Sequence, residues 1–155
     1  MYKLDHSIKF ISINIALITI SDTRNETNDK SGKLLESRII NFGHKVTKKI
    51  IIKDSIDIIK KNILEFSKDS SIDTIITTGG TGLTGRDSTP EAVTSLSNKI
   101  IHGFGELFRQ ISYQKIGTST IQSRAIAAII NNTYIFSIPG SPNACKDAWD
   151  EILKF

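Results

Sequence analysis

The segment Thr78-Gly79-Gly80-Thr81-Gly82-Leu83-Thr84-Gly85-Arg86-Asp87 carries four glycines within seven residues, followed by an arginine and a carboxylate. Without side chains in the way, successive backbone N–H groups converge readily on a phosphate, and a helix N-terminus just beyond adds partial positive charge. Thr89-Pro90-Glu91 supplies that helix start: a capping hydroxyl, a first-turn proline and an acidic residue near the positive end. Anion binding is the chemistry this spacing offers, with Arg86 placed to fork onto a phosphate. Asp54 directly follows another β-branched run, so Asp54 and Asp87 are expected to flank one phosphate-holding loop. Mg²⁺ usually takes one or two carboxylates plus substrate phosphates, which makes the pair a Mg²⁺-nucleotide arrangement. Two plainer roles compete: Asp54 as N-cap of a helix starting at Ser55, and Asp87 as a loop residue bonding its own turn.

Two familiar phosphate motifs nearly fit the loop. Gly80 to Gly85 satisfies G-x-G-x-x-G after a strand, but the helix does not open inside it, and no carboxylate ends a strand some ~20 residues later. Glu106, near that distance, falls in a helical pattern. Read as a P-loop, the run continues into Arg86-Asp87 where lysine and a hydroxyl are required. The loop is a phosphate loop of another kind.

The elements that must position these groups follow from periodicity. Ile11 to Ile20 is a strand covered on both faces, and Ser21 to Lys30 is a polar loop at its C-terminal end, the edge where open α/β sheets place ligands. Ser31-Gly32 leads into a helix with Leu35, Ile39 and Phe42 on one face, stopped by Gly43. Val46 to Ile52 is a second strand, Ser55 to Lys68 a helix, and Ile72 to Thr78 a buried strand. Right-handed crossovers make this β-α-β-α-β order a parallel unit with helices on both faces. Gly103 to Gln114 and Ile121 to Ile130 read as core-facing helices. Asn131-Asn132 turns the chain into a strand over Thr133 to Ile138, and Pro139-Gly140-Ser141-Pro142 opens a last helix, with Ser141 as N-cap. Three loops, Ser21 to Ser31, Gly79 to Thr89 and Ile138 to Pro142, should therefore meet at one edge. Ser119 and Arg124 flank the start of the helix expected at Ile121, within reach of an anion or simply solvated. Glu106 and Arg109 are spaced for a surface ion pair.

At 155 residues the chain fits a single domain, 1–155. Residues 1–10 contain Lys3, Asp5, His6 and Lys9 and hold no leader-like apolar core, and no run approaches the ~20 residues of a membrane span, so a cytoplasmic location without a membrane partner is the expectation. Cys145 is the only cysteine, which leaves no internal disulfide and no cysteine metal cluster; a buried filler role is expected. His6, His44 and His102 lack ligand spacing, against a zinc site or a histidine-based triad. The net charge of +4 comes from scattered Lys and Arg rather than a stripe interleaved with aromatics, which argues against nucleic acid.

Taken together, Thr77 to Ala92, Gly103-Phe-Gly-Glu-Leu-Phe-Arg109, Ser123-Arg-Ala125 and Ile138-Pro-Gly-Ser141 resemble the molybdenum cofactor biosynthesis B proteins of the MoaB/Mog family, with similarity from about Ile15 to Trp149. The resemblance implies a three-layer α/β/α, molybdopterin-binding-like fold with a mostly parallel central sheet. It implies homo-trimers or hexamers, molybdopterin as substrate or ligand, and possible contact with other proteins of the pathway. Active members adenylylate the pterin's terminal phosphate with Mg-ATP and release pyrophosphate; the alternative is a non-catalytic pterin-binding or scaffold protein. By position, Thr78, Gly79, Gly80, Thr81, Gly82 and Gly85 would hold a phosphate. Asp54 and Asp87 would serve Mg²⁺ and catalysis, Pro139, Gly140 and Ser141 would line the pocket, and Ser21-Asp22-Thr23 and Ser31-Gly32 also match; Ser119 stands beside these as a candidate phosphate contact from its own position.

Overall fold

A computed structural model describes residues 9–155; the reading of residues 1–8 as free of a leader lies outside the described residues. The elements are β1 (Asn14–Ile20), α1 (Lys30–Phe42), β2 (Lys45–Ile52), α2 (Ile56–Ser67), β3 (Thr74–Thr78), α3 (Thr89–Leu96), β4 (Lys99–Ile100), α4 (His102–Ile116), β5 (Ile126–Ile130), β6 (Thr133–Ile138) and α5 (Pro142–Ala148). A 3₁₀ segment, Gly117–Gln122, follows α4, and a π-helical turn, Trp149–Leu153, follows α5.

The strands form one sheet in the order β2-β1-β3-β6-β5-β4. Pairings β1–β2, β1–β3 and β3–β6 are parallel, whereas β5 runs antiparallel to both β4 and β6. Period-two alternation sends Ile15 and Leu17 of β1 to one face and Ala16, Ile18 and Ile20 to the other. Leu35 and Ile39 of α1, Phe108 of α4 and Ala148 of α5 close the first face; Ile59 and Ile63 of α2 and Val93 of α3 close the second. The architecture is three-layer α/β/α. No described helix is long and apolar enough to cross a membrane.

Several boundaries fall where the sequence puts them. Gly43 ends α1 in the left-handed region at φ 105° and donates to the carbonyls of Ile39 and Ile40. Ser141 caps α5 by accepting from the Ala144 N–H. The segment Ile121–Ile130 differs: it is no helix, but the end of the 3₁₀ segment followed by β5. Asn131 and Asn132 adopt φ 50° and 65°, a tight hairpin turn, so the isoleucines before it pair with β6 in register Ile130↔Thr133. Gly105 of α4 lets that helix pack closely on the chain entering β5, since a Cβ there would stand 2.6 Å from the Ala125 carbonyl oxygen. β4, a two-residue edge strand, has too little periodicity to be seen in the sequence.

Candidate functional site

Strands β1, β2, β3 and β6 run in one direction, so the loops leaving their C-terminal ends share an edge. Those loops wall a cleft of about 680 Å³ whose lining includes Ser21, Asp54, Gly79, Gly80, Thr81, Gly82, Asp87, Pro139, Gly140 and Ser141. Of the other residues singled out in the sequence, three stand elsewhere. Thr78 is buried at the end of β3, its hydroxyl donating to the Pro139 carbonyl at 3.1 Å, so it supports the cleft floor instead of facing it. Ser119 is exposed on the 3₁₀ segment and absent from the cleft wall, because the helix meant to orient it does not form. Gly85 lines an adjoining groove, with nothing within 4 Å of where a Cβ would stand.

The glycine loop is shaped from within the protein. Gly79 has φ 106° and lies so close to β1 that a Cβ would come within 2.1 Å of the Ile20 carbonyl oxygen. At Gly80, φ 64°, a Cβ would meet the Thr89 hydroxyl and stand 2.7 Å from Asp54 Oδ2; at Gly82 it would stand 2.7 Å from Asp87 Oδ2. Two of the glycines thus make room for the two carboxylates. Thr89, expected as a cap, is the first residue of α3, with Ser88 at the N-cap position; the Thr89 hydroxyl instead donates to the Gly79 carbonyl at 3.0 Å.

Asp54 is not a helix cap. Ser55 holds the N-cap position of α2, and the Asp54 carboxylate turns to Ser88, accepting from its N–H at 3.2 Å and its hydroxyl at 2.9 Å. Burial raises the Asp54 pKa above the ordinary aspartate value; the Ser88 bonds pull it down, and the negative charges of Asp87 and Asp22 push it up again. Asp87 does bond its own turn, accepting from the Thr84 hydroxyl at 2.6 Å and the Thr84 N–H at 2.9 Å. The Thr84 hydroxyl bond is the largest cause holding its carboxyl below the usual range.

Arg124 is neither free for an anion nor solvated surface. Nε donates to the Gly82 carbonyl and Nη2 to the Asp87 carbonyl, both at 2.8 Å, while Nη1 pairs with Glu91. It braces the loop from behind. Arg109 likewise turns from Glu106: its Nη1 lies 3.5 Å from the Ser123 carbonyl and 3.4 Å from that of Ala125, and no Glu106–Arg109 ion pair forms among the described residues.

Two further cleft residues had no role in the sequence reading. Asp22, part of the matching Ser21-Asp22-Thr23 run, accepts through Oδ1 from the Asp54 N–H at 3.2 Å and is a third carboxylate beside the pair. Arg24 crosses to the β6–α5 loop and donates through Nη2 to the Gly140 carbonyl at 2.6 Å. The buried carboxylate of Asp29 lies 3.8 Å from its Nη1. Arg24 Nη1 and the Ser123 hydroxyl, both from cleft-lining residues, are buried without a hydrogen-bond partner among the described residues. The position of Asp22 and Arg24 in the first strand-end loop was the available signal.

A mixed sheet whose parallel edge gathers a glycine loop, paired carboxylates and a helix-capping loop defines a class of ligand-binding α/β domains. Residues 16–155 match the family described as "Probable molybdopterin binding domain". The chain is 42% identical over 147 residues to molybdenum cofactor biosynthesis protein B of Escherichia coli K12, covering 95% of this chain and 86% of that protein. It is 45% identical over 142 residues to the protein of the same name from Bacillus cereus, covering 91% and 84%. A crystal structure of a molybdenum cofactor biosynthesis protein B superposes with a TM-score of 0.90 at 44% identity, covering 93% of this chain and 90% of that one. The chain belongs to the molybdenum cofactor biosynthesis protein B family.

Proposed function

We propose that the cleft binds molybdopterin and that the protein transfers AMP from Mg-ATP to the pterin's terminal phosphate, releasing pyrophosphate. The observation that carries this reading is the pair Asp54 and Asp87, held from two different strand ends beside one glycine loop and both lining one cleft. A carrier needs only the phosphate cradle; two carboxylates beside it suit phosphoryl chemistry.

Whether these residues fit Mg²⁺ is decided by the donor set. No group of three or more His, Cys, Asp or Glu side chains that could hold a metal forms among the described residues. A protein cage is therefore absent there, whereas an ion arriving on the nucleotide's phosphates needs only one or two carboxylates. Asp54 and Asp87 would hold it, and its charge would offset that of the reacting phosphates.

The reaction forms one P–O bond and breaks another. An oxygen of the pterin phosphate attacks the α-phosphorus of ATP in line, and the bond from that phosphorus to the bridging oxygen breaks, its electron pair leaving with pyrophosphate. The phosphate nucleophile is already anionic, so no general base is required. The loop N–H groups orient the pterin phosphate, and Arg86 faces charge developing on the leaving group. Arg124 keeps the loop in shape without touching substrate.

We also infer that copies assemble in multiples of three. Exposed Leu107, Tyr113 and Ile116 on α4, with Ile121 just beyond, leave apolar surface for a subunit contact. The deciding experiment for the activity is incubation with molybdopterin and Mg-ATP, followed by detection of pyrophosphate and the adenylylated pterin. Pterin binding with no product assigns the protein to the carrier class.

A further inference from the structure

β2 is the outermost strand on its side of the sheet, separated by β1 from β3 and its glycine loop, and at eight residues it is the longest strand described. The Ile52 carbonyl accepts the Ser21 N–H at 2.8 Å on the β1 side. Along a strand both backbone groups of a residue face one side and the side alternates, so the N–H and C=O of Lys49 and Ile51 face outward. No backbone group from a turn or loop reaches these four groups among the described residues. Thr47 is left out of the register between Val46 and Lys48, so the regular open stretch is residues 48–52.

Residues 45–53 hold four lysines and no carboxylate, as large an excess as the net charge of +4 carried by the whole chain. Edge lysines ordinarily guard a strand by standing out from it. Here Lys48 turns onto one face of the sheet, to Asp69 at 2.9 Å and over the Phe66 ring, and Lys49 turns onto the other, to Glu36. The backbone between them is left open. Lys45 and Lys53, at the two ends, make no ion pair among the described residues. Beside the strand lies a cavity of about 530 Å³, walled by Lys49 and Ile51, by Glu26 and Asp29 of the loop after β1, and by Lys33 of α1. Lys33 Nζ donates to the Thr27 carbonyl at 3.0 Å and has no ion pair among the described residues. Asp29 is buried and already accepts from the Thr19 hydroxyl and the Gly32 N–H, which leaves Glu26 as the exposed carboxylate of that wall.

An open strand edge is completed by another strand, whose backbone supplies the bonds and whose side chains select the sequence. A second copy of β2 would set four lysines against four, and like charges opposite one another destabilise a strand pair. We propose that β2 docks an extended acidic peptide segment of a partner protein, which adds a strand along residues 48–52. Its backbone pairs with Lys49 and Ile51, its carboxylates meet Lys45 and Lys53 at the two ends, and a side chain on the cavity side meets Lys33. The docking stands whether or not the cleft transfers AMP.

The test titrates the full chain at low salt, by fluorescence polarisation, with a short labelled peptide alternating glutamate and valine. It should bind about tenfold more tightly than the same peptide with lysine in place of glutamate. The double variant Lys45→Glu with Lys53→Glu should weaken it about tenfold, and Glu26→Gln should tighten it. In the complex the amides of Lys49 and Ile51 should exchange more slowly with deuterium. A fully N-methylated peptide keeps every charge but offers no N–H, and should bind about tenfold more weakly. Equal affinity of the N-methylated peptide reduces the contact to charge attraction and overturns strand addition, as does an acidic peptide that does not bind. Protection of the Lys49 and Ile51 amides that grows with protein concentration in the absence of peptide shows a second copy on the edge, and overturns the assignment as well.

Discussion

The Asp54 carboxylate takes both the N–H and the hydroxyl of Ser88, at 3.2 and 2.9 Å, and so ties the end of β2 to the start of α3. Asparagine retains an oxygen for those bonds but loses the charge. Asp54→Asn and Asp87→Asn are each expected to lower the adenylylation rate by roughly 10²-fold or more, with much smaller changes in pterin affinity and melting temperature. Single-turnover rates, pterin titration and thermal melts on both variants check this. Because burial raises the Asp54 pKa in the free protein, kcat/KM of the wild type, which reports the free enzyme, should fall with decreasing pH sooner than an ordinary aspartate would dictate, and Asp54→Asn should lose that dependence. A wild-type rate in Asp54→Asn would remove this residue from the site.

The loop glycines should divide by what their missing side chains admit. Gly79→Ala combines a strained φ of 106° with a collision against the Ile20 carbonyl, and should cost about 3 kcal/mol of stability in denaturant titrations. Gly82→Val instead displaces Asp87, so ligand affinity and turnover should fall while the fold persists. Unaltered binding in Gly82→Val refutes the loop's role.

Arg124 reaches three separate acceptors with one planar group, which an ammonium cannot span. Arg124→Lys should therefore lose about 2 kcal/mol of stability and speed amide exchange across residues 80–88. Exchange confined to its wild-type rate would show that the loop holds its shape unaided.

His44 gives a pH dependence unconnected with catalysis. Its Nδ1 accepts from the Ile13 N–H at 3.2 Å within an aromatic group of Phe10, Phe42 and Trp149, and burial lowers its pKa from the ordinary 6.5. The unfolded chain then takes up a proton that the folded chain resists. Stability present above the unfolded value should decline as pH falls below 6.5, until the folded pKa is passed. Melting temperatures between neutral and mildly acidic pH should fall less in His44→Asn than in wild type.

Assembly is checked by light scattering on dilute protein. A mass that is a multiple of three chains is expected; a monodisperse monomer or dimer contradicts it.

Local signals carried much of this architecture. The β-branched runs ending at Ile20, Ile52 and Thr78, the stop at Gly43 and the glycine run all rest on residues adjacent in sequence, where propensity and period act. Ile121 to Ile130 misled because alanine and isoleucine satisfy a helical stripe and a short buried strand equally well. Asn131-Asn132 between two β-branched runs was the hairpin signal that should have decided it. The roles of the site residues lay further off. Asp54 and Ser88, or Arg124 and Gly82, meet only once the sheet has formed, and no spacing announces such partners. Thr89, Ser119 and Arg109 were assigned from neighbours in sequence, and each has its actual surroundings set by another element.

Cys145, the single thiol, sits on α5 with its sulfur 3.1 Å from the Thr78 hydroxyl and 3.6 Å from the Pro139 carbonyl, under the floor of the cleft. Burial raises its pKa, so the reactive thiolate is scarce as well as shielded. The native protein thereby contains a clock: a thiol reagent can reach the sulfur only when α5 parts from the end of β3, and the labelling rate counts those openings. Since the same Pro139 lines the cleft, a ligand seated there should slow the clock in proportion to its occupancy, which makes an unmodified sulfur atom a reporter for binding that needs no turnover.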